Sequence, residues 1–189
     1  VLNFDIGVKK DQVVVIDLPS HQDSLIRSQV KYFESQLSSS SFIMDYTFSH
    51  DVIGDRDSKF LKRTDRSEAF MMEAYTVDAR FIPFYGIKLI AGRNFLSNHR
   101  ADENTIILSS KAIRTLGFNS PEDALGAQIL VPHDLAGHSD YATSTVVGVF
   151  EDYFASAFFT INQGYTSGQS LYPSSFNATL RKASVRLFP

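Results

Sequence analysis

The sequence predicts an α+β fold, and three patterns support this prediction. Short apolar runs with polar flanks, typical of buried strands, recur along the chain, as at 12–18 (QVVVIDL). From 26 to 37 the apolar residues form one stripe at spacings of three and four, which indicates an amphipathic helix. Met44, Tyr46 and Phe48 then alternate with polar residues, as expected of a half-buried strand. Strand, helix and strand predict one βαβ-like unit in the first fifty residues.

The first helix has recognisable ends. Ser20 and Asp23 mark its start, because hydroxyl and carboxylate oxygens accept the free backbone N–H groups of a first turn. The serine run 38–41 ends it. Its apolar stripe consists of Ile26, Val30, Phe33 and Leu37.

Shorter elements follow. Besides the apolar segment 87–91, we expect strands at 68–77, 105–108, 128–131, 145–150 and 183–188. We expect short helices at 79–85, which Gly86 ends, at 110–116, between Ser109 as N-cap and Gly117, and from Ser120, with Pro121 in its first turn and Gly126 at its end.

Two segments lack any clean period. Residues 51–67 mix four acidic with five basic side chains, which predicts a solvated loop; the functional alternative is a tip that contacts a partner. Residues 153–179 are aromatic and rich in Gly and Ser, and we expect mostly loop there.

Composition excludes several function classes. At 189 residues the chain fits one domain or two small lobes. Its net charge of −3, with 18 basic among 21 acidic residues, argues against nucleic acid as a partner. Without cysteine there is no thiol catalysis, Cys-ligated zinc or disulfide. No apolar run approaches the roughly 20 residues that span a bilayer, and the abrupt ends suggest a fragment of a longer protein.

The sequence assembles no site for chemistry. His133 and His138 lie five apart in a polar loop, which does not match usual zinc-ligand spacing, and we expect both to be solvated. Neither a Gly-x-Ser-x-Gly elbow nor a glycine-rich phosphate loop occurs. We therefore predict no catalytic, cofactor-binding or metal-binding residue, no cofactor, and a protein that is not an enzyme.

The stretch 75–95 carries a resemblance to a known family. Val77 and Asp78, the run 85–89 (YGIKL) and the run 92–95 (GRNF) resemble the signature of the periplasmic core domain (MacB-like) of MacB/FtsX-type ABC transporter permeases, in the style of Bacteroides-type bacteria. The order and spacing of the motifs carry the likeness more than any single one. Further matches lie at 3–7 with 12–16, 105–109, 112–118, 120–126, 145–149 and 152–153.

The resemblance implies a two-lobed architecture. A porter-like lobe that contains the βαβ unit would take residues 1–70 plus 152–189. A smaller sabre-like lobe of short strands and helices, 71–151, would be inserted between them. The match to the family is weak after residue 154, where the closing strands of the porter-like lobe are expected.

The resemblance also implies a function. The chain would be the extracytoplasmic domain of a permease, at the periplasmic face of the bacterial inner membrane, non-catalytic itself, coupling cytoplasmic ATP hydrolysis to export or extraction of a substrate. Implied partners are an ABC ATPase subunit or domain, reached through membrane helices, and a periplasmic adaptor, outer-membrane channel or lipoprotein; the parent would be dimeric. The alternative is a sensory or scaffolding ectodomain of an FtsX-like protein that regulates a cell-envelope partner such as a cell-wall hydrolase. A free-standing hydrolase is a distant third, because its catalytic constellation is missing.

Partner contacts are expected in two polar loops, 51–67 and 132–143, because loops between packed elements carry binding residues more often than the packed elements do. In the first loop the basic side chains Arg56, Lys59, Lys62 and Arg63 are the candidates.

Overall fold

The structure is a computed structural model that describes residues 8–19, 24–53, 57–97, 101–132, 141–153, 168–173 and 181–188. It is an α+β fold dominated by a sheet, as predicted. The strands are β1 Val13–Asp17, β2 Ile43–Ser49, β3 Ser58–Arg63, β4 Phe70–Val77, β5 Leu89–Gly92, β6 Thr105–Ser109, β7 Gln128–Pro132, β8 Tyr141–Phe150, β9 Gln169–Pro173 and β10 Lys182–Leu187. The helices are α1 Ser24–Ser39, α2 Phe81–Tyr85, α3 Ser110–Thr115 and α4 Pro121–Ala124. Among these helices none has the length and hydropathy needed to cross a bilayer.

The predicted βαβ-like unit is confirmed, in a split form. β1 and β2 both pair antiparallel with β10, which lies between them, so β1 and β2 run parallel. α1 covers one face of this part of the sheet, where Leu37 and Tyr46 are buried together with Val185. Ser20 and Asp23, the predicted helix start, lie outside the described residues.

The sheet continues from β2 through a narrow connection. Its strand order is β1-β10-β2-β4-β3-β7-β8-β6-β9, with β5 on β8 and a further pairing of β4 with β9. One register pair, Ser49 with Val77, joins β2 to β4. The β1–β10–β2 part and the rest of the sheet are therefore linked by much less strand pairing than either contains.

The prediction that 51–67 is a solvated loop is wrong for β3. This strand pairs with β4 on one side and β7 on the other, and its Leu61 is completely buried. The strand was not predicted because its charged residues obscure the apolar alternation. Lys59 and Arg63 place their cationic groups over aromatic rings at the margin of the core, so their aliphatic stems pack while their charges keep favourable contacts.

The prediction of mostly loop at 153–179 also missed a strand. β9 lies between β4, to which it is parallel, and β6, to which it is antiparallel. β9 lacks the alternation of apolar residues that identifies a strand in a sequence, because it carries polar residues at buried positions. Their hydrogen bonds are made inside the sheet: the Ser170 hydroxyl donates to the Glu73 carbonyl at 2.8 Å. Apart from 153 and 168–173, the segment lies outside the described residues.

In the larger part of the sheet, strands β4, β6 and β8 contribute to buried clusters on both faces. α2 supplies Phe81, Phe84 and Tyr85 to one buried cluster, which also contains Tyr75. α3 and α4 cover a second cluster on the opposite face. Successive strand residues divide between the clusters, as Ile107 and Leu108 do, because side chains alternate across a strand.

The predicted helix ends are confirmed where they are described. Gly86 takes the left-handed conformation after α2. The Ser109 hydroxyl accepts from the Ala112 N–H at the start of α3, and the Ser120 hydroxyl accepts from the Asp123 N–H at the start of α4, where Pro121 is the first residue.

Candidate interaction surface

Asp78, in the Val-Asp pair of the sequence signature, ties α2 to the sheet. Its carboxylate accepts from the Thr47 hydroxyl, from the Phe48 N–H at 2.9 Å and from the Arg80 N–H at 3.0 Å. Burial raises the pKa of the Asp78 carboxyl, although these hydrogen bonds oppose the rise. All of its contacts lie within the fold, which makes Asp78 a structural group that joins β2 to the turn before α2.

Asp152, which follows β8, ties the end of that strand to α3. Its carboxylate accepts from the Ser110 hydroxyl at 2.6 Å, the Lys111 N–H at 2.8 Å and the Arg114 guanidinium at 3.0 Å. Burial alone would raise the pKa of this carboxyl, but the hydrogen bonds outweigh it and the pKa is lowered. The negative charge also lies at the N-terminal end of α3, where it is favourable.

Arg93, in the Gly-Arg-Asn-Phe run, is bound to Asp102. Its guanidinium donates to the two carboxylate oxygens at 2.7 and 3.0 Å, and the Leu96 N–H donates to the same carboxylate at 2.6 Å. Asp102 is completely buried. Hydrogen bonds from Arg93 lower the pKa of Asp102, and the pair raises the pKa of Arg93. With its charge paired, Arg93 fixes the loop after β5.

No group of three or more potential metal ligands occurs within the described ranges. The Nδ1 atom of His50 lies 2.6 Å from a carboxylate oxygen of its neighbour Asp51, within hydrogen-bond distance. His133 and His138, which we expected to be solvated, lie outside the described residues. Exposed and partly exposed side chains of the sheet form surfaces that a partner could contact.

One such surface lies on β3, β7 and β8, and we call it the open face: Phe60, Lys62, Met71, Leu130, Tyr141 and Thr143. Register places them together, because Lys62 is opposite Leu130, Leu130 is opposite Thr143, and Phe60 is opposite Met71. Phe60 and Thr143 are exposed and the other four are partly exposed.

The reverse side of the same strands is closed. Leu61, Ile129 and Val131 are buried there in the cluster that α3 and α4 cover. An antiparallel sheet commonly keeps one face packed and the other in water. Here the solvent-facing side carries four large apolar or aromatic side chains, an apolar cluster of the kind that marks interaction sites.

The open face unites the two predicted contact segments. The Lys62 ammonium, from 51–67, lies 4.8 Å from the centre of the Tyr141 ring, from 132–143. Lys59 and Arg63 lie on the closed side, over Tyr172 and Phe118 respectively. Arg56 and residues 133–140 lie outside the described residues. Of the four basic candidates, only Lys62 is therefore placed by the structure on the open face.

Sequence reasoning missed the apolar part of this surface. Phe60, Leu130 and Tyr141 became neighbours only when β3 paired with β7 and β7 with β8. A signal was present: Phe60 stands two residues from Lys62, as face-sharing strand residues must. The surface combines apolar contact area with one ammonium group, and this combination suits contact with a partner.

Comparison with known proteins bears on the fold alone. No protein-family model matches the chain, and no curated protein matches it. Among solved structures, the periplasmic region of MacB from Actinobacillus actinomycetemcomitans superposes with a TM-score of 0.61 at 16% identity, over 96% of this chain and 76% of that one. The chain has the fold of a transporter ectodomain.

Two further solved structures agree. A domain of a putative permease protein from Porphyromonas gingivalis matches with a TM-score of 0.55 at 20% identity, over 82% of this chain and 66% of the other. The extracellular domain of the noncanonic ABC-type transporter YknZ from Gram-positive bacteria matches at 0.57 and 13% identity, over 94% and 84%. The resemblance inferred from residues 75–95 is thus confirmed at the level of the fold.

Proposed function

We propose that this chain is the extracytoplasmic domain of an ABC transporter permease, on the periplasmic side of the bacterial inner membrane. It would couple ATP hydrolysis in the cytoplasm to export or extraction of a substrate, without chemistry of its own. The observation that carries the proposal is the shared fold with the periplasmic region of MacB over 96% of the chain. The proposed partners are an ABC ATPase, reached through membrane helices, and an envelope component on the outer side, in a dimeric parent.

The two-lobed division, 1–70 plus 152–189 and 71–151, is part of this proposal. The single register pair between β2 and β4 supports a division at this place, because strand pairing is nearly interrupted there, and the hydrogen bonds of Asp78, Tyr85 and Arg186 cross it. The division assigns β3 and β9 to the porter-like lobe, yet both pair with strands of 71–151. A test must therefore decide to which lobe these two strands belong. Hydrogen exchange would decide it, since strands of one lobe open together.

A first prediction concerns the parent reading frame. We expect one apolar segment of about 20 residues before Val1 and three after Pro189, because a permease domain of this kind lies between the first two of four membrane helices. Sequencing the gene and calculating the hydropathy of its product checks this. A frame without such segments would contradict the proposed function.

The open face is the proposed contact surface for the envelope partner. Its apolar side chains supply area, and Lys62 supplies one charge that fixes orientation. This combination fits a protein partner, because interface centres favour aromatic side chains and Met over clustered charge.

A second prediction tests the open face in the full permease. Phe60→Ser and Lys62→Glu should each weaken partner binding about tenfold and lower transport accordingly, because each removes a central contact. Leu96→Ser and Lys59→Glu are matched controls: Leu96 is 46% exposed against 45% for Phe60, and Lys59 lies on β3 but on the closed side. Binding is measured with the purified partner, and unfolding in urea confirms that all four variants remain folded. Equal losses in variants and controls would show that the open face has no special role.

A further inference from the structure

A second apolar surface lies at the opposite part of the sheet. Phe42, Met44, Leu187 and Phe188 are all exposed, with Phe42 at 78% and Phe188 at 53%, and we call them the apolar tip. Single exposed apolar residues need no explanation, but four of them at one place do.

Backbone contacts hold the apolar tip together. The Phe188 N–H donates to the Phe42 carbonyl at 3.1 Å, and Leu187 is paired with Ile43. The Leu187 N–H donates to the Gln12 carbonyl at 3.1 Å. The apolar tip therefore lies where β1 begins, β2 begins and β10 ends, so the chain enters and leaves the β1–β10–β2 part of the sheet at one edge.

The charges around the apolar tip nearly balance. Lys9, Lys10 and Arg186 are offset by Asp11 and Asp45. Arg186 is occupied within the fold, since it donates to the carbonyls of Lys9, Asp11 and Phe84 and lies over the Phe84 ring. An occupant of the apolar tip is therefore attracted by apolar contact, with little help from charge.

We propose that the apolar tip inserts into the interfacial region of a lipid bilayer. The inference rests on the proposed function, in which a membrane helix is attached at each end of the chain. The edge of the sheet at which the chain enters and leaves would then face the bilayer. Phe and other apolar side chains at such an edge lose unfavourable contact with water when they enter the headgroup region. The insertion would hold the domain at a fixed height and tilt over its membrane helices.

The chain offers a direct test because it contains no tryptophan. Phe42→Trp introduces one fluorescent indole at the apolar tip, and Phe60→Trp introduces one at the open face as the matched control. The 189-residue chain is tethered through a C-terminal hexahistidine extension to neutral phosphatidylcholine vesicles that contain nickel-chelating lipid. For the Phe42→Trp variant we expect a blue shift on tethering and quenching by brominated lipid about twofold or more above the control, because an interfacial group lies roughly 5–10 Å into the headgroup boundary.

A second variant guards against a local artefact of the probe. Adding Phe188→Ser to Phe42→Trp should reduce the lipid quenching, whereas adding Leu96→Ser should leave it unchanged. The signal should also persist in 0.5 M NaCl, about where charge attraction is strongly screened. Urea unfolding of every variant confirms that it is folded.

Three outcomes would overturn the inference. Quenching equal at positions 42 and 60 would show that tethering alone brings the indole to lipid. Emission already blue-shifted without vesicles would show that the chain itself covers the apolar tip. Lipid quenching abolished by about 0.5 M NaCl would assign the contact to charge attraction. None of these outcomes contradicts the proposed function, because the proposed function is tested separately. It would be contradicted by a parent reading frame without membrane segments, not by a fluorescence result.

Discussion

Replacing Gly92 with alanine should destabilise the fold by about 3 kcal/mol, which lowers Tm by roughly 6–12 °C for a chain of this size. Gly92 has a φ of +70°, where a Cβ costs about 1–2 kcal/mol. A Cβ would also collide with the Val147 carbonyl oxygen and lie 2.7 Å from Leu125 Cδ2, which adds about 1–3 kcal/mol. The backbone cannot withdraw easily, because Gly92 is paired with Gly148, whose own missing Cβ leaves room for the Arg93 carbonyl.

Gly126→Ala is the matched control for this prediction. Gly126 has a φ of +79°, but a Cβ there would have no heavy atom within 4 Å. Only the backbone cost of about 1–2 kcal/mol is therefore expected. Urea unfolding of both variants measures the difference, which isolates the close approach between β5 and β8. Equal losses would mean that the chain relaxes around Gly92 without cost.

Arg93→Ala should destabilise the fold by about 2 kcal/mol at neutral pH, because it leaves the buried Asp102 carboxylate without its charge partner. The loss is smaller than for a fully buried pair, since the Arg93 side chain is 44% exposed and water reaches its guanidinium. Arg93→Lys should restore only part of the loss, because an ammonium cannot donate to both carboxylate oxygens in the same planar geometry.

The pH dependence of this effect has a definite sign. The pKa of Asp102 is lower in the folded chain than in the unfolded one, so the stabilisation is complete above the unfolded value, near 4, and disappears as pH falls through the folded value. The difference in unfolding free energy between the parent chain and Arg93→Ala should therefore shrink below about pH 4. Lys88→Ala, which breaks an exposed pair with Glu151, should change stability by less than about 1 kcal/mol at any of these pH values. A loss for Arg93→Ala that does not depend on pH would contradict an ionic origin.

Local patterns predicted local structure well. The apolar stripe of α1, the serine caps of α3 and α4 and the glycine after α2 all depend on residues within about one helical turn of each other. The two failures, β3 and β9, are strands whose stability comes from partners far along the chain. β3 reaches β7 and β9 reaches β4, so neither strand needed an apolar period of its own.

The candidate surfaces divide in the same way. The sequence pointed to 51–67 and 132–143 as contact segments, and it identified Lys62 among four basic candidates. It did not show that Lys59 and Lys62 lie on opposite faces, because that follows from strand alternation once β3 is known to be a strand. The apolar tip was equally hidden, since Phe42 and Phe188 lie far apart in the sequence.

The sequence by itself determined the fold class, the ends of α2, α3 and α4, the absence of thiol chemistry and the likeness to permease ectodomains. Only the tertiary structure decided which residues share a surface: the open face through the pairing of β3, β7 and β8, and the apolar tip through β10 lying between β1 and β2. It also decided why Gly92 is glycine and what Arg93 holds. The physical reason is that capping and periodicity act over a few residues, whereas strand register and buried charge pairs join residues from distant parts of the chain.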